Sequence, residues 1–432
     1  MEKINYRDSL AWKILLNLCA LLLGLVFVFS GFVKAVDPLG TCYKIQDYIE
    51  AFGLVKVIPD FIPLMLSIAL CCLEFLIGVM LLLRVRRRVA TVLVLVMMIV
   101  MTPLTFYLAL TNPISDCGCF GDALVLTNWQ TFYKNVALLI GAVVVFIGYN
   151  QLTPILSIKK EWMVTSWSLV FILGIAFYGL YYIPLFDFRP YKIGVNIPQA
   201  MEIPEGAELS KYDTRFVLEK EGEKREFGLD DYPDSTWTFV ESKTVLVKQG
   251  YEPPIHDFSL MSLETGEDLT TDVLDHEGYT FLLVAHRVEE ADESDIDLVN
   301  EVYDFSVEYG YCFYALTSSP EEEIMKWRER TGAEYDFLLA DDITLKTIIR
   351  SNPGLLLLKD GTILNKWSSR DLPDEFAMVG PLEEIEIGEQ KVVNEPLRYL
   401  ITFLVFSIPL SLLLGHDQLL SYLRRRKSKT DY

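Results

Sequence analysis

Apolar and polar positions in this chain sort into long apolar runs and one extended polar stretch. Runs close to the roughly 20 residues that cross a bilayer as a helix occupy residues 10–33, 61–83, 89–110, 132–149, 163–185 and 397–420. The pattern predicts six membrane helices, arranged five plus one. Short connections force the first four into antiparallel neighbours, an up-and-down four-helix bundle. In the first connection Ile45, Tyr48, Ile49 and Phe52 fall on one helical face, so a short helix is expected on the bilayer surface. The first run ends in Gly31, Phe32, Val33 and Lys34 without a small-residue cleavage pattern, and is expected to be a retained helix rather than a signal peptide.

The polar stretch, 186–396, changes period within itself. Residues 187–250 carry short alternating runs such as 236–240 and 244–248, which predict a small β-rich unit. From Tyr251 onward strand and helix patterns alternate: a strand at 279–286, a helix at 296–309, a strand at 312–317, a helix at 320–331, a strand at 337–339 and a helix near 343–350. A hairpin follows, 355–358 with 362–367, turning at Asp360 and Gly361. This alternation predicts an α/β domain.

Charge orients the helices. Arg84, Arg86, Arg87 and Arg88 lie between the second and third runs, Lys159 and Lys160 between the fourth and fifth, and 424–427 are basic after the sixth. Counting crossings from a cytoplasmic N-terminus puts all three clusters in the cytoplasm, where basic loop residues accumulate. The same count puts 40–60, 111–131 and 186–396 outside. The formal net charge is −21, with the carboxylates concentrated in 186–396, which argues against nucleic-acid binding. These features predict a multi-pass protein of a bacterial inner membrane, both termini cytoplasmic and the large domain periplasmic. Its expected partners are the lipid bilayer and a periplasmic protein client or redox partner.

Candidate chemistry centres on sulfur. Cys117 and Cys119 stand in the run Asp116, Cys117, Gly118, Cys119, Phe120, Gly121, Asp122, a polar loop between two apolar runs. A disulfide between cysteines one residue apart closes only a small ring, and Gly118 supplies the backbone freedom that ring needs. Small, strained bridges tend to be the exchangeable ones. Cys42 is a third external thiol, so a structural staple from Cys42 to either loop cysteine is the competing expectation. Of the seven cysteines, Cys19, Cys71 and Cys72 lie within membrane runs and read as small buried apolar groups. Cys312, in a strand, is expected to be a buried core thiol. Glu74 lies within the second run, where an ionisable side chain marks either a functional site or a structural polar pair. Counted from the cytoplasmic helix ends, Asn17 comes to a similar depth, and a hydrogen bond to Glu74 is expected to be feasible. Lys34 is expected to snorkel to the outer interface. The four histidines are scattered, and no metal is expected.

Four segments, 31–38 (GFVKAVDP), 73–83 (LEFLIGVMLLL), 116–121 (DCGCFG) and 133–142 (YKNVALLIGA), resemble in order and spacing the MauE branch of the DoxX/MauE membrane family. The resemblance covers about residues 10–150 and implies a four-helix membrane protein tied to redox or disulfide chemistry, MauE itself being associated with maturation of a disulfide-rich methylamine dehydrogenase. A looser likeness, to quinone-coupled disulfide-forming enzymes of the vitamin K epoxide reductase type, implies a quinone as cofactor, although the CxxC of that type is absent. Farther along, the strand and helix order with Asn352 and Pro353 before the hairpin is similar to thioredoxin, and 257–260 resembles the leading segment of the peroxiredoxin and TlpA branches. Those families carry their nucleophile after the first core strand. Here the chain reads Arg287, Val288, Glu289, Glu290, Ala291, Asp292, Glu293 and Ser294, so a thioredoxin-like domain without redox activity is expected.

The expected organisation is a bundle at 1–155, a fifth membrane helix at 156–186, a β-rich unit at 187–250, a thioredoxin-like domain at 251–395 and a sixth helix with a basic tail at 396–432. The expected function is thiol-disulfide exchange or maturation of external clients through Cys117 and Cys119, with Cys42, Glu74, Asn17 and Lys34 as accessory candidates. The competing expectation is a non-catalytic scaffold whose thioredoxin-like surface binds protein partners.

Overall fold

The computed structural model describes residues 9–114, 116–208, 211–220, 223–228, 237–248 and 250–430. Among them, six helices are long and apolar enough to cross a membrane. Helix α1 (Leu10–Val36) starts at Ser9, whose hydroxyl caps the Trp12 amide, and stops at Asp37. Asp37 in turn accepts from the Gly40 amide and opens α2 (Pro38–Ala51), with proline at the first helical position where no amide is needed. Helices α3 (Phe61–Leu82), α4 (Arg87–Thr111) and α5 (Asn128–Gly148) complete the bundle with α1. Helix α6 (Glu161–Tyr181) then packs against α1 and α3. The fifth span thus ends at Tyr181 rather than 185, where Tyr182 turns extended ahead of Pro184.

Close packing of α1 on α3 sets the register of the bundle. A Cβ on Gly31 would stand 2.4 Å from the Phe75 backbone nitrogen, so only glycine permits this approach. Around that seam Leu16, Leu23, Phe27, Ile77, Met80, Val94, Met98 and Val145 form one buried cluster, while Cys71, Phe75, Phe171 and Ile172 form a second toward α6.

Beyond α6 the chain runs through Phe186 into the polar domain, here called the head. A short helix, α7 (Ile197–Met201), precedes a three-stranded antiparallel sheet of β1 (Lys211–Lys220), β2 (Glu223–Phe227) and β3 (Thr238–Lys248), in the order β2-β1-β3. The two alternating runs expected near 236–248 form one strand, with Thr236 outside the described residues. Tyr191 and Ile197, expected in that β-rich unit, pack instead into the head core.

The head's second sheet contains β4 (Met261–Ser262), β5 (Tyr279–Val284), β6 (Cys312–Thr317), β7 (Asp336–Leu339), β8 (Gly354–Lys359) and β9 (Thr362–Ser368), ordered β4-β7-β6-β5-β8-β9. Helices α8 (Thr270–Leu274), α9 (Ile296–Tyr309), α10 (Glu321–Thr331) and α11 (Asp342–Ile348) connect or cover the strands. Strands β5, β6 and β7 run parallel and β8 and β9 return antiparallel, the thioredoxin-like arrangement, with the cis Asn352–Pro353 peptide just before β8. Every β5 residue is buried, as a strand covered on both faces requires. At the β8–β9 turn both Asp360 (φ 48) and Gly361 (φ 73) adopt the positive φ that a tight hairpin of this type needs. Helix α12 (Glu395–Thr430) returns along α6. Only 6% of its apolar window is buried by protein, leaving a surface suited to lipid.

Candidate functional site

The loop joining α4 to α5 sits on the end of the bundle that faces the head. Its base is closed by Asn128, whose amide donates to Asn112 Oδ1 and to the Ile114 carbonyl, both at 2.8 Å. Thr127 and Gln130 cap α5 reciprocally, which fixes where the loop ends. Within it Gly118 takes φ 65, a left-handed conformation that costs a side-chain-bearing residue energy. That turn brings Cys117 Sγ and Cys119 Sγ to 3.0 Å.

The two sulfurs are not equivalent. Hydrogen bonding to the Cys119 sulfur and burial push the Cys117 thiol well above its ordinary range. The Cys119 thiol is pulled below that range, first by the hydrogen bond from Cys117 and then by the ammonium groups of Lys134 and Lys34, against the opposing effect of burial. A thiolate is the attacking form of cysteine, and of the two sulfurs Cys119 has the greater thiolate character. Asp116 and Asp122 would oppose such a thiolate if left unpaired. Each is paired: Lys44 Nζ lies 2.8 Å from Asp116 Oδ2, and Arg350 Nη2 lies 3.0 Å from Asp122 Oδ2. Tyr48 of α2 donates to the Cys117 carbonyl at 3.1 Å, so α2 borders the thiol loop as expected for the short surface helix.

Directly beneath Cys119 lies a buried ion pair. Lys34 Nζ is 2.7 Å from both Glu74 carboxylate oxygens, and each side chain is almost fully buried. Ser30 Oγ lies 2.7 Å from Glu74 Oε2 and 2.7 Å from the Cys119 carbonyl, and accepts from Lys34 at 3.1 Å. Its single proton can serve one of those two acceptors at a time. The expected snorkelling of Lys34 is therefore corrected: the side chain turns inward, because Glu74 on the facing helix offers a charge partner one helical turn down.

Asn17 lies outside this cluster. Its Oδ1 accepts from Arg84 at 2.7 Å and its amide donates to the Lys13 carbonyl. The anticipated bond to Glu74 is absent because α1 extends well past the end of α3 on the side away from the head, so equal counts from the two helix ends do not mean equal depth. Cys42 is buried in α2, its thiol pushed up to about 11 by burial within electrostatic reach of Lys346. Cys312 is half-buried at the start of β6, 3.5 Å from His276 Nε2, rather than a fully buried core thiol.

A cleft opens next to the site, lined by Phe27, Ser30, Glu74, Met97, Met98, Met101, Cys119, Phe120, Lys134 and Asn135. Lys134 Nζ stands 4.2 Å over the Phe120 ring, a cation held by a π face. Sequence reasoning missed Ser30 altogether. A hydroxyl within an apolar run carries no signal until the facing carboxylate is known.

The fold and this site define a multi-pass helical membrane protein with a thiol pair at one end of its bundle and a thioredoxin-like head above it. Residues 12–148 match the family model described as Methylamine utilisation protein MauE, and residues 212–249 match a Domain of unknown function (DUF8463). No curated protein matches the chain. Among solved structures, the thioredoxin domain of a thiol-disulfide oxidoreductase from Bacteroides vulgatus aligns at 15% identity, covering 25% of this chain and 81% of that one, with a TM-score of 0.22. A thiol peroxidase from Chromobacterium violaceum aligns at 14% identity, covering 28% of this chain and 78% of that one, also at 0.22. At that likeness the fold assignment rests on the strand order itself.

Proposed function

We propose that the protein carries out thiol-disulfide exchange on external client proteins through Cys119 and Cys117. The observation that carries this reading is the polarised sulfur pair 3.0 Å apart, one thiol held low by the hydrogen bond from its neighbour and by two lysines, the other held high. In the reducing direction the Cys119 thiolate attacks a client disulfide, forming a mixed disulfide and releasing one client thiolate. Cys117 then loses its proton and attacks Cys119 Sγ, releasing the second client thiolate and leaving a Cys117–Cys119 disulfide. Run backward, the same steps oxidise a client dithiol. Glu74, Lys34 and Ser30 support the site from below by holding the Cys119 backbone. A quinone docked against Phe27, Met97, Met98, Met101, Phe120 and Lys134 would supply a membrane-dissolved exchange partner for the electron pair. The basic clusters opposite the head support a bacterial inner-membrane setting with both termini cytoplasmic and the head periplasmic.

The test is capture. A Cys117→Ser variant lacks the resolving thiol and is expected to accumulate mixed disulfides through Cys119, released by reductant. A variant that captures nothing, with Cys119 unreactive to alkylation in intact cells, sinks the reading. The second reading, a scaffold that binds partners through the head, is favoured by one observation: the loop after β5 holds carboxylates where a thioredoxin nucleophile would stand. It predicts that the function survives Cys117→Ser and Cys119→Ser and is lost on disrupting the head surface.

A further inference from the structure

Among the described residues, the head's ion pair to the thiol loop is made by Arg350. Arg350 lies between α11 and the cis Asn352–Pro353 peptide, and although it belongs to the head it is only 7% exposed. Its Nε donates to Asp37 Oδ2 at 2.8 Å and its Nη2 to Asp122 Oδ2 at 3.0 Å. Asp37 is the joint between α1 and α2, and Asp122 closes the thiol loop past Cys119. The same guanidinium stands 5.4 Å over the ring of Tyr43 in α2, and Lys346 stands 4.9 Å over it. At the other end of the loop, Lys44 of α2 holds Asp116 at 2.8 Å. Both ends of the loop are therefore pinned by charge, one from α2 and one from the head. Cys117 between them is 7% exposed.

We propose that Arg350 is a positioning residue through which the head holds the thiol loop closed over Cys117, so that disengaging this one guanidinium opens the sulfur pair to a partner. The biological purpose of the latch rests on the exchange reading above, whereas the latch itself is a statement about access. A thioredoxin-like fold that has no cysteine after its first core strand thus acts on the thiol chemistry of another part of the chain. It does so from the loop next to its cis proline.

The test uses the full-length protein in membranes, reduced beforehand, and a bulky membrane-impermeant maleimide read cysteine by cysteine through peptide mass spectrometry. Arg350→Gln and Asp122→Asn are each expected to raise the labelling rate at Cys117 by about tenfold, the scale of losing one charge-assisted hydrogen bond. The double variant is expected to go no further than Arg350→Gln alone, since that substitution already breaks the contact to Asp122. Arg350→Lys keeps the charge and is expected to restore most of the protection. Cys312 in the head reports general unfolding and is expected to label at the wild-type rate. Should Arg350→Gln expose Cys312 as well, Asp122→Asn, which leaves Arg350 on Asp37, decides the matter. Unchanged Cys117 labelling in Asp122→Asn overturns the latch, even if Cys117→Ser captures clients. Faster labelling without any client capture would instead leave the latch standing and remove the exchange reading.

Discussion

The chain contains two loops at which a thiol could work, one between α4 and α5 of the bundle and one after β5 of the head, and their surroundings differ in sign. Around Cys119 the hydrogen bond from Cys117 and the ammonium groups of Lys134 and Lys34 outweigh burial and the Glu74 carboxylate, and both loop aspartates are already paired. After β5 the chain offers Glu289, Glu290, Asp292 and Glu293, whose partners are mostly hydroxyls and exposed arginines: Ser319 donates to Glu289, Ser294 to Asp292, and Arg330 reaches Glu293. A sulfur placed there would meet acceptors and negative charge, which favour the protonated thiol. The bundle, by contrast, buries an ion pair below its loop and brings two ammonium groups to the sulfur. The low-lying thiol of this molecule follows the local field rather than the fold best known for thiol chemistry.

The largest effect that would break the comparison lies beneath the bundle loop. Glu74→Leu leaves Lys34 buried without its partner and is expected to cost about 4 kcal/mol, whereas Lys34→Met with Glu74→Leu is expected to recover most of that loss. Thermal unfolding of the purified protein in detergent measures both, and equal losses in single and double variants would mean that the pair carries no mutual stabilisation.

Next in size is an acid sensitivity confined to the head. Burial, reinforced by Lys346, holds His286 down at about 4, below its ordinary value near 6.5. Between those two values the unfolded chain binds the proton and the folded head does not, so stability falls as pH drops through that window, by about 3 kcal/mol at pH 4. His286→Leu is expected to flatten the profile there. A profile of the head's unfolding, followed through its tryptophans, that keeps its slope in the variant would assign the sensitivity elsewhere.

A smaller difference separates the two loops directly. At pH 7 Cys119 is expected to alkylate about tenfold faster than a cysteine installed by Ala291→Cys in the head loop, a thiolate-fraction effect. As pH falls below the ordinary thiol range, Cys119 should keep reacting after the installed thiol has stopped. Parallel pH profiles would erase the contrast. The smallest effect belongs to Lys44→Met, which removes one ammonium partner of Asp116 at a partly exposed site with side chains 29% and 18% exposed. It is expected to change stability by less than about 1 kcal/mol, while slowing Cys119 alkylation slightly through the loss of a nearby positive charge.

Long-range order was largely legible in the residues. The six apolar runs became six helices, the strand and helix alternation from Tyr279 became the sheet with its α9 and α10 crossovers, and Asp360–Gly361 became the hairpin turn. Those features depend on local period and turn chemistry, which sequence carries directly. The spacing of Cys117 and Cys119 announced the sulfur loop for the same reason. What escaped were the side-chain pairings between segments far apart in the chain. Lys34 was placed at the interface, although Glu74, forty positions on, draws it inward at 2.7 Å. Asn17 was matched to Glu74 by counting, although the packing of Gly31 on Phe75 shifts the two helices along each other.

By itself, then, the sequence determined where apolar helices run, which domain alternates strand with helix, and where two sulfurs stand a residue apart, since each is written in neighbouring positions. Only the tertiary structure decided that Cys119 is the low-lying thiol, that Ser30, Lys34 and Glu74 sit beneath it, and that Arg350 of the head pairs with Asp122 of the loop. Charges act through space, and the pairs that tune this site are set by helix register and by the docking of one domain on another.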